Sequence, residues 1–231
     1  MDFIKELEKR NIILSDHMLE QLETYASYLK EYNEKINLTA ITEHDEVFNK
    51  HFYDSLLLMD RNLTGTLVDV GSGAGFPGVV LKIANPDLKV ILIEPIKKRC
   101  IFLESLIEKL DLKDIQVIND RGEDYSIKHR EEYDYVTARA VTNLNALIEI
   151  CGAMVKVKGY FIALRGKDGL EELENADKAI KTMGFKMEVT HEECLFDGSI
   201  RVISYLSKER KTEVKYPRKY SIIKAHTLWK K

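Results

Sequence analysis

Asp69, Gly71, Gly73, Gly75 and Gly78 fall within one stretch, Thr66-Leu-Val-Asp-Val-Gly-Ser-Gly-Ala-Gly-Phe-Pro-Gly78, and their spacing suits the cradling of a small ligand. Leu67, Val68 and Val70 form the kind of continuous apolar run that a parallel sheet covers on both faces. The glycines that follow permit positive φ and close backbone approach, so that a ligand can rest against main-chain N–H groups where a helix begins. Pro77 falls in the first helical turn, where its missing N–H is no loss. Asp69 puts a carboxylate at the carboxyl end of the strand, on the rim of the cleft where such sheets bind ligands.

The ends of the later apolar runs carry matching chemistry. Glu94 lies 19 residues beyond Gly75, where an acidic side chain can accept hydrogen bonds from two ribose hydroxyls. Asn119-Asp-Arg-Gly-Glu-Asp124 is a polar loop in which Gly122 lets an adenine edge meet backbone groups. Arg139 directly follows a buried strand and needs an anion or a base to meet, and Arg165-Gly-Lys-Asp168 completes the rim. Each residue also has a plainer reading. Glu94 could cap a helix starting near Pro95, Arg139 could pair with Asp69 or Glu149, and Arg165 could be a surface charge. The joint pattern outweighs the separate alternatives, because all five loops fall at one end of a parallel sheet. A literal G-x-G-x-x-G, Gly73-Ala-Gly-Phe-Pro-Gly78, suggests a nicotinamide site, but it is out of register. Gly71 stands at the strand end, and the third position counted from it is Phe76.

The elements that must position these residues follow from periodicity. Apolar faces predict helices over 2–10 and from about Asp16 to Ile36, with Ser15 and Asp16 as cap candidates. Thr42-Glu-His-Asp45 reads as a capping box for a third helix running to Met59. Strands are expected over 66–70, 88–94, 115–118, 133–138 and 159–164, with helices over 77–84, 97–110 and 143–156 between them, the signature of βαβ units. One more helix is expected from Gly169 to Met183, then strands over 185–194 and 200–206 joined at Phe196-Asp-Gly198 as a hairpin. The predicted fold class is α/β, a doubly wound, mainly parallel Rossmann-like sheet. Its expected parts are a helical extension over 1–63, a ligand-binding domain over 64–207 and a basic tail over 208–231.

Composition narrows the function classes. A chain of 231 residues, 45% hydrophobic and 32% charged, suits one substantial core. No apolar run approaches the ~20 residues of a membrane span, and Met-Asp-Phe-Ile-Lys-Glu lacks the regions of a signal peptide, so a cytoplasmic protein is expected. Cys100, Cys151 and Cys194 are far apart and contain no C-x-x-C, which argues against a zinc site or a disulfide framework. No histidine lies in an H-E-x-x-H pattern, and His51 with Asp54 on one helix face reads as structural; no metal is expected. The net charge of −3 hides a division, because residues 208–231 carry +7 and residues 1–207 carry −10. Such a tail is either a solvated terminus or a basic patch for nucleic acid.

Asp69-Val-Gly-Ser-Gly-Ala-Gly75 resembles the D-x-G-x-G-x-G loop of S-adenosylmethionine-dependent methyltransferases. Four further stretches narrow the resemblance: Asn33-Glu-Lys-Ile-Asn-Leu-Thr-Ala, His51-Phe-Tyr-Asp-Ser-Leu, Lys97-Lys-Arg-Cys-Ile-Phe-Leu103 and Val136-Thr-Ala-Arg-Ala-Val141. With Gly-Phe-Pro-Gly78 they are similar, in order, to the motifs of the GidB family of small-subunit ribosomal RNA guanine-N7 methyltransferases. The resemblance implies S-adenosylmethionine as cofactor, contacted by Gly71, Phe76, Gly122, Glu123 and Arg139; Gly73 and Glu94 join them as cofactor-binding candidates from the loop spacing and the strand end. It also implies a seven-stranded sheet whose last strand is antiparallel, and transfer of a methyl group to N7 of a guanine in small-subunit (16S) ribosomal RNA. Guanine N7 has a free lone pair, so no general base is expected. Arg165, Lys167, Arg201, Arg218 and Lys219 would hold RNA phosphates, and the protein is expected to act as a monomer. The chain departs from the family at Arg121-Gly-Glu123, where Arg-Ala-Glu is usual, and at Arg165-Gly166, where Lys-Gly is usual. The tail motif Pro-Arg-x-x-Gly is also only half present, as Tyr216-Pro-Arg-Lys219 runs on into Tyr-Ser-Ile-Ile-Lys. The alternatives are a methyltransferase for another substrate and an RNA-binding assembly factor with a vestigial cofactor pocket; a dehydrogenase is the weakest reading.

Overall fold

Strand order and strand ends determine where a ligand can sit, and both are defined in the computed structural model, which describes residues 3–139, 142–226 and 228. The strands are β1 (Thr66–Val70), β2 (Lys89–Ile93), β3 (Ile115–Ile118), β4 (Tyr133–Arg139), β5 (Val155–Arg165), β6 (Phe185–Cys194) and β7 (Ile200–Lys208). They form one sheet in the order β3-β2-β1-β4-β5-β7-β6. Strands β1 to β5 pair in parallel, and β7 enters antiparallel between β5 and β6. The chain winds outward from β1 in one direction through β2 and β3 and in the other through β4 and β5. The switch point therefore lies at the carboxyl ends of β1 and β4, as expected of a Rossmann-like α/β fold.

Alternating side chains divide the core between the two faces. Leu67 and Leu92 join one cluster with Leu22, Leu29, Phe52 and Phe102, whereas Val68, Val70 and Ile93 join another with Leu147, Ile150 and Phe185. The first cluster is continuous from the N-terminal helices α1 (Phe3–Lys9) and α2 (Asp16–Asn33) into the helices that follow β1 and β2, which are α5 (Gly78–Ala84) and α6 (Lys97–Lys109). Ser15 caps α2, its side chain accepting from Met18 N at 3.3 Å.

Several expected boundaries move, each for a local reason. The capping box at Thr42–Asp45 does not form, because the N-cap is Glu43 with no side-chain cap bond. The helical run that follows changes pitch from α3 (His44–Val47) through a π-helical turn, Phe48–Phe52, into α4 (Tyr53–Leu56) and a 3-10 turn, Leu57–Asp60. The helix expected to reach residue 156 is α8 (Leu144–Gly152), and β5 starts at Val155. Val155 and Val157 alternate with lysines at strand spacing, and Val155 pairs with Tyr133 across a register shift. The single helix after Gly169 is two, α9 (Gly169–Asn175) and α10 (Asp177–Thr182). Two short helices fall in segments read as loop or tail, α7 (Gly122–Lys128) and α11 (Tyr220–Ala225). The β6–β7 hairpin forms as expected, with Gly198 at φ 81° and Asp197 Oδ1 accepting from Ser199 N and Oγ. Among the described residues no helix is long and apolar enough to cross a membrane.

Candidate active site

The glycine loop turns on three positive-φ residues, Gly71 at 71°, Gly73 at 58° and Gly75 at 101°. Two of them differ instructively. A Cβ on Gly75 would lie 2.6 Å from Tyr25 Oη and 2.8 Å from Val79, so packing alone demands glycine there. At Gly73 the nearest atom to such a Cβ is the Gly71 carbonyl oxygen at 3.8 Å, so the space beside Gly73 is open. Asp69, fully buried, accepts from Gly78 N at 2.9 Å and ties the strand end to the start of α5. Its other oxygen has no partner among the described residues, and burial pushes the carboxyl up to about 7.

The loop opens on a cavity of about 380 Å³ lined by Gly71, Glu94, Ile96, Gly122, Glu123 and Arg139 among others. Five of the seven residues expected to hold the cofactor thus line one space at the switch point. Gly73 is bonded to it through Glu94, whose Oε2 accepts from Gly73 N at 3.0 Å. Oε1 of Glu94 accepts from Ile96 N at 2.9 Å, at the start of α6, so the capping role and the site role coexist in one carboxylate. Each oxygen keeps a lone pair for a further donor. The donor set fits S-adenosylmethionine: an acidic acceptor for ribose hydroxyls, an apolar slot of Val70, Ile96, Leu147 and Ile150, and open space against Gly73. Gly122 is glycine for packing, since its Cβ would meet Val70 at 2.7 Å and Ile150 at 3.0 Å.

Phe76 does not line the cavity directly. It lies in a stack of rings beneath it, 4.4 Å from His51 and 5.4 Å from Tyr25 between centroids, with the Arg139 guanidinium carbon 4.9 Å from its ring. Arg139 is held from the N-terminal side by Asp54, whose side chain is fully buried. Arg139 Nη1 donates to Asp54 Oδ2 at 3.0 Å, and Arg201 Nε donates to Oδ1 at 2.6 Å. Neither Asp69 nor Glu149 is the partner of Arg139. Nη2 of Arg139 lies 3.3 Å from His51 Nδ1, and arginine can only donate, so Nδ1 accepts and Nε2 carries the proton toward Thr39 Oγ1 at 3.0 Å. Burial and the Arg139 charge push the His51 imidazole down to about 3, so it is neutral in its working state. Asn33 Oδ1 holds the Thr39 turn by accepting from Leu38 N and Thr39 N. The Asn33 and His51 motifs thus meet at the fourth rim residue. Sequence reasoning treated Asp54 as structural; the signal available was its place three residues after His51 on the same helical run.

The residues expected to hold RNA divide into two groups. Lys167 and Lys219 are exposed. Arg165 pairs with Glu172 at 2.6 Å, Arg201 with Asp54, and Arg218 with Glu149, donating from Nε at 2.7 Å and from Nη2 at 2.6 Å. The tail is anchored at several points, although most of its described residues are exposed. Lys208 is buried and donates to Gly152 O, Met183 O and Thr212 Oγ1, Arg130 donates to Tyr216 O and Thr212 O, and Ile223 and Leu228 reach the core. Asp60, His191 and Glu193 come together as potential metal ligands, but Arg10 already donates to Asp60 Oδ2 at 2.9 Å and pairs with Glu193.

Comparisons with known proteins identify the fold and the family. A solved structure of an S-adenosylmethionine-dependent methyltransferase from Aquifex aeolicus shares the fold at a TM-score of 0.54 and 17% identity, over 77% of this chain and 98% of that one. The solved structure of M. jannaschii TYW2 in complex with AdoMet shares the fold at a TM-score of 0.55 and 14% identity, over 73% of this chain and 79% of that one. Curated proteins named ribosomal RNA small subunit methyltransferase G are far nearer in sequence. The one from Bacillus licheniformis is 46% identical over 223 residues, 94% of this chain and 93% of the relative, and one from Bacillus cereus is 45% identical over the same span. The family profile described as rRNA small subunit methyltransferase G matches residues 18–195. With glycine loop, acidic strand end and rim arginine all in place, the chain belongs to the GidB family of rRNA small subunit methyltransferase G.

Proposed function

We propose that the protein transfers a methyl group from S-adenosylmethionine to N7 of a guanine in small-subunit ribosomal RNA, working in the cytoplasm as a monomer. The observation that carries the reading is the 380 Å³ cavity in which Gly71, Glu94, Gly122, Glu123 and Arg139 meet at the switch point of a chain of this family. When bound, the cofactor supplies an electrophilic methyl on a sulfonium: the N7 lone pair forms the new N–C bond, the C–S pair returns to sulfur, and the positive charge passes to the base. No proton moves, and accordingly no residue is asked to act as a base.

The chain's own contribution is positioning. Glu94 fixes the ribose through its free lone pairs, Gly71 and Gly73 allow the backbone to approach, and Gly122 with Glu123 receives the adenine end. Arg139, set by Asp54 and His51, closes the wall nearest the N-terminal segment. Guanine N7 is hidden in the deep major groove of an RNA helix, so the target is an unpaired or distorted nucleotide. Lys167, after β5, and Lys219, beside Tyr220, are exposed and available for phosphate contact, while Arg165, Arg201 and Arg218 pair with carboxylates. The test is methyl transfer from labelled cofactor to small-subunit RNA and to free small subunits from a strain lacking the gene, followed by nucleoside analysis. Label in 7-methylguanosine supports the reading, and absence of label from both substrates overturns it.

A further inference from the structure

The C-terminal segment is anchored too firmly, and too close to the cavity, to be only an RNA strap. Glu149 is fully buried in α8, and Arg218 meets it with its backbone N at 3.0 Å as well as with its guanidinium. Arg218 Nη2 also donates to His226 O at 2.9 Å, which closes the short helix α11 back on its own start. Two residues beyond Arg218, Tyr220 reaches the cavity and is the only aromatic ring among the described residues that line it. The ring also has a cationic neighbour. Arg121 Nε donates to Glu123 Oε1 at 2.9 Å, and the Arg121 guanidinium carbon lies 5.4 Å from the Tyr220 ring centroid. Glu123, Arg121 and Tyr220 thus share with Gly122 the lining of one cavity, at the end where the adenine would be received.

We propose that Tyr220 is a cofactor-binding residue whose ring packs against the adenine of S-adenosylmethionine, making the C-terminal segment a wall of the cofactor site. The inference rests on the cofactor reading given above. An aromatic ring offers a purine a polarisable face and gains from contact with its π-system, and stacked base and ring pairs are lost at a cost of roughly fivefold to a hundredfold in affinity on truncation to alanine. Ile96 and Val70 provide apolar surface elsewhere in the cavity but no ring.

Calorimetric titration of full-length wild type, Tyr220→Phe and Tyr220→Ala with S-adenosylhomocysteine, and separately with 5′-methylthioadenosine, tests the proposal without any RNA or turnover. The expected result is binding by wild type, a change of less than about twofold in Tyr220→Phe, and a loss of about tenfold in Tyr220→Ala. The same loss is expected for methylthioadenosine, which keeps the adenosine and lacks the amino-acid end. Thermal unfolding without ligand should leave Tyr220→Ala close to wild type, which separates a lost contact from a loosened tail. Wild-type binding with an unchanged Kd in Tyr220→Ala would overturn the role of Tyr220 and leave the cofactor reading standing. Wild type that binds neither compound would overturn both.

Discussion

Two buried carboxylates, one on each side of the cofactor cavity, do the same electrostatic job in different settings. Asp54 belongs to the N-terminal helices and is the shared countercharge of Arg139 and Arg201, which come from β4 and β7. Glu149 belongs to α8 and neutralises Arg218 from the tail. The first ties three distant segments through a carboxylate that is itself fully buried, so Asp54 cannot reach water unless those segments separate. The second ties a docked segment to a helix, and undocking that segment would re-solvate Glu149 and Arg218 together. The cost of breaking the pair should therefore be global at Asp54 and local at Glu149.

The sharpest way to break the comparison is Asp54→Asn. Two guanidiniums would remain near each other with no countercharge, at a cost of about 3–5 kcal/mol. Thermal unfolding of the ligand-free protein should show a fall in Tm of ~10 °C. Glu149→Gln removes the same charge, yet its cost is limited by the free energy of tail docking. A loss of about 2 kcal/mol is expected, with backbone hydrogen exchange accelerated over 217–225 and little changed in β1. A global fall equal to that of Asp54→Asn would show that the tail is as integral as the N-terminal helices. Smaller again is Tyr25→Phe, which deletes the bond from the buried Tyr25 hydroxyl to Ala74 O in the glycine loop. Denaturant unfolding should show a loss of about 1–2 kcal/mol, because Ala74 O is left unpaired.

The finest contrast is in pH. The His51 imidazole is held down at about 3, so between roughly pH 3 and 6.5 the unfolded chain binds the proton that the folded one refuses. Its contribution is complete above pH 6.5 and is lost as pH falls. Asp69 is held up at about 7, so the folded chain keeps a proton that the unfolded one releases, and stability falls as pH rises from about 4 to 7. Relative to wild type, His51→Gln should gain stability on acidification, and Asp69→Asn should gain it as pH rises across that window. Unfolding curves at pH 5 and 7.5 check both signs.

The glycine loop was legible in the sequence because its requirements are local: an apolar strand, positive-φ glycines at fixed spacing, and an acidic residue one βα unit later. Glu94, Gly122 and Arg139 were legible for a related reason, since each follows a strand and topology alone brings strand ends together. Asp54 and Tyr220 were not. The partners of Asp54 lie 85 and 147 residues away, and no periodicity indicates which buried carboxylate meets which arginine. The docking of the tail was not legible from its charge count, because Lys208 is buried and Arg218 pairs with a buried carboxylate while Lys211, Lys215 and Lys219 stay exposed. Changes of pitch at Phe48–Phe52 and the early start of β5 escaped for want of a local signal stronger than helical propensity.

The claim common to both sides is that the cavity between them holds the cofactor. Hydrogen exchange of the intact protein with and without S-adenosylhomocysteine tests it most directly. The account predicts slower exchange in two segments at once, the glycine loop over 71–76 and the tail over 217–225. Binding that leaves both segments unchanged would contradict it.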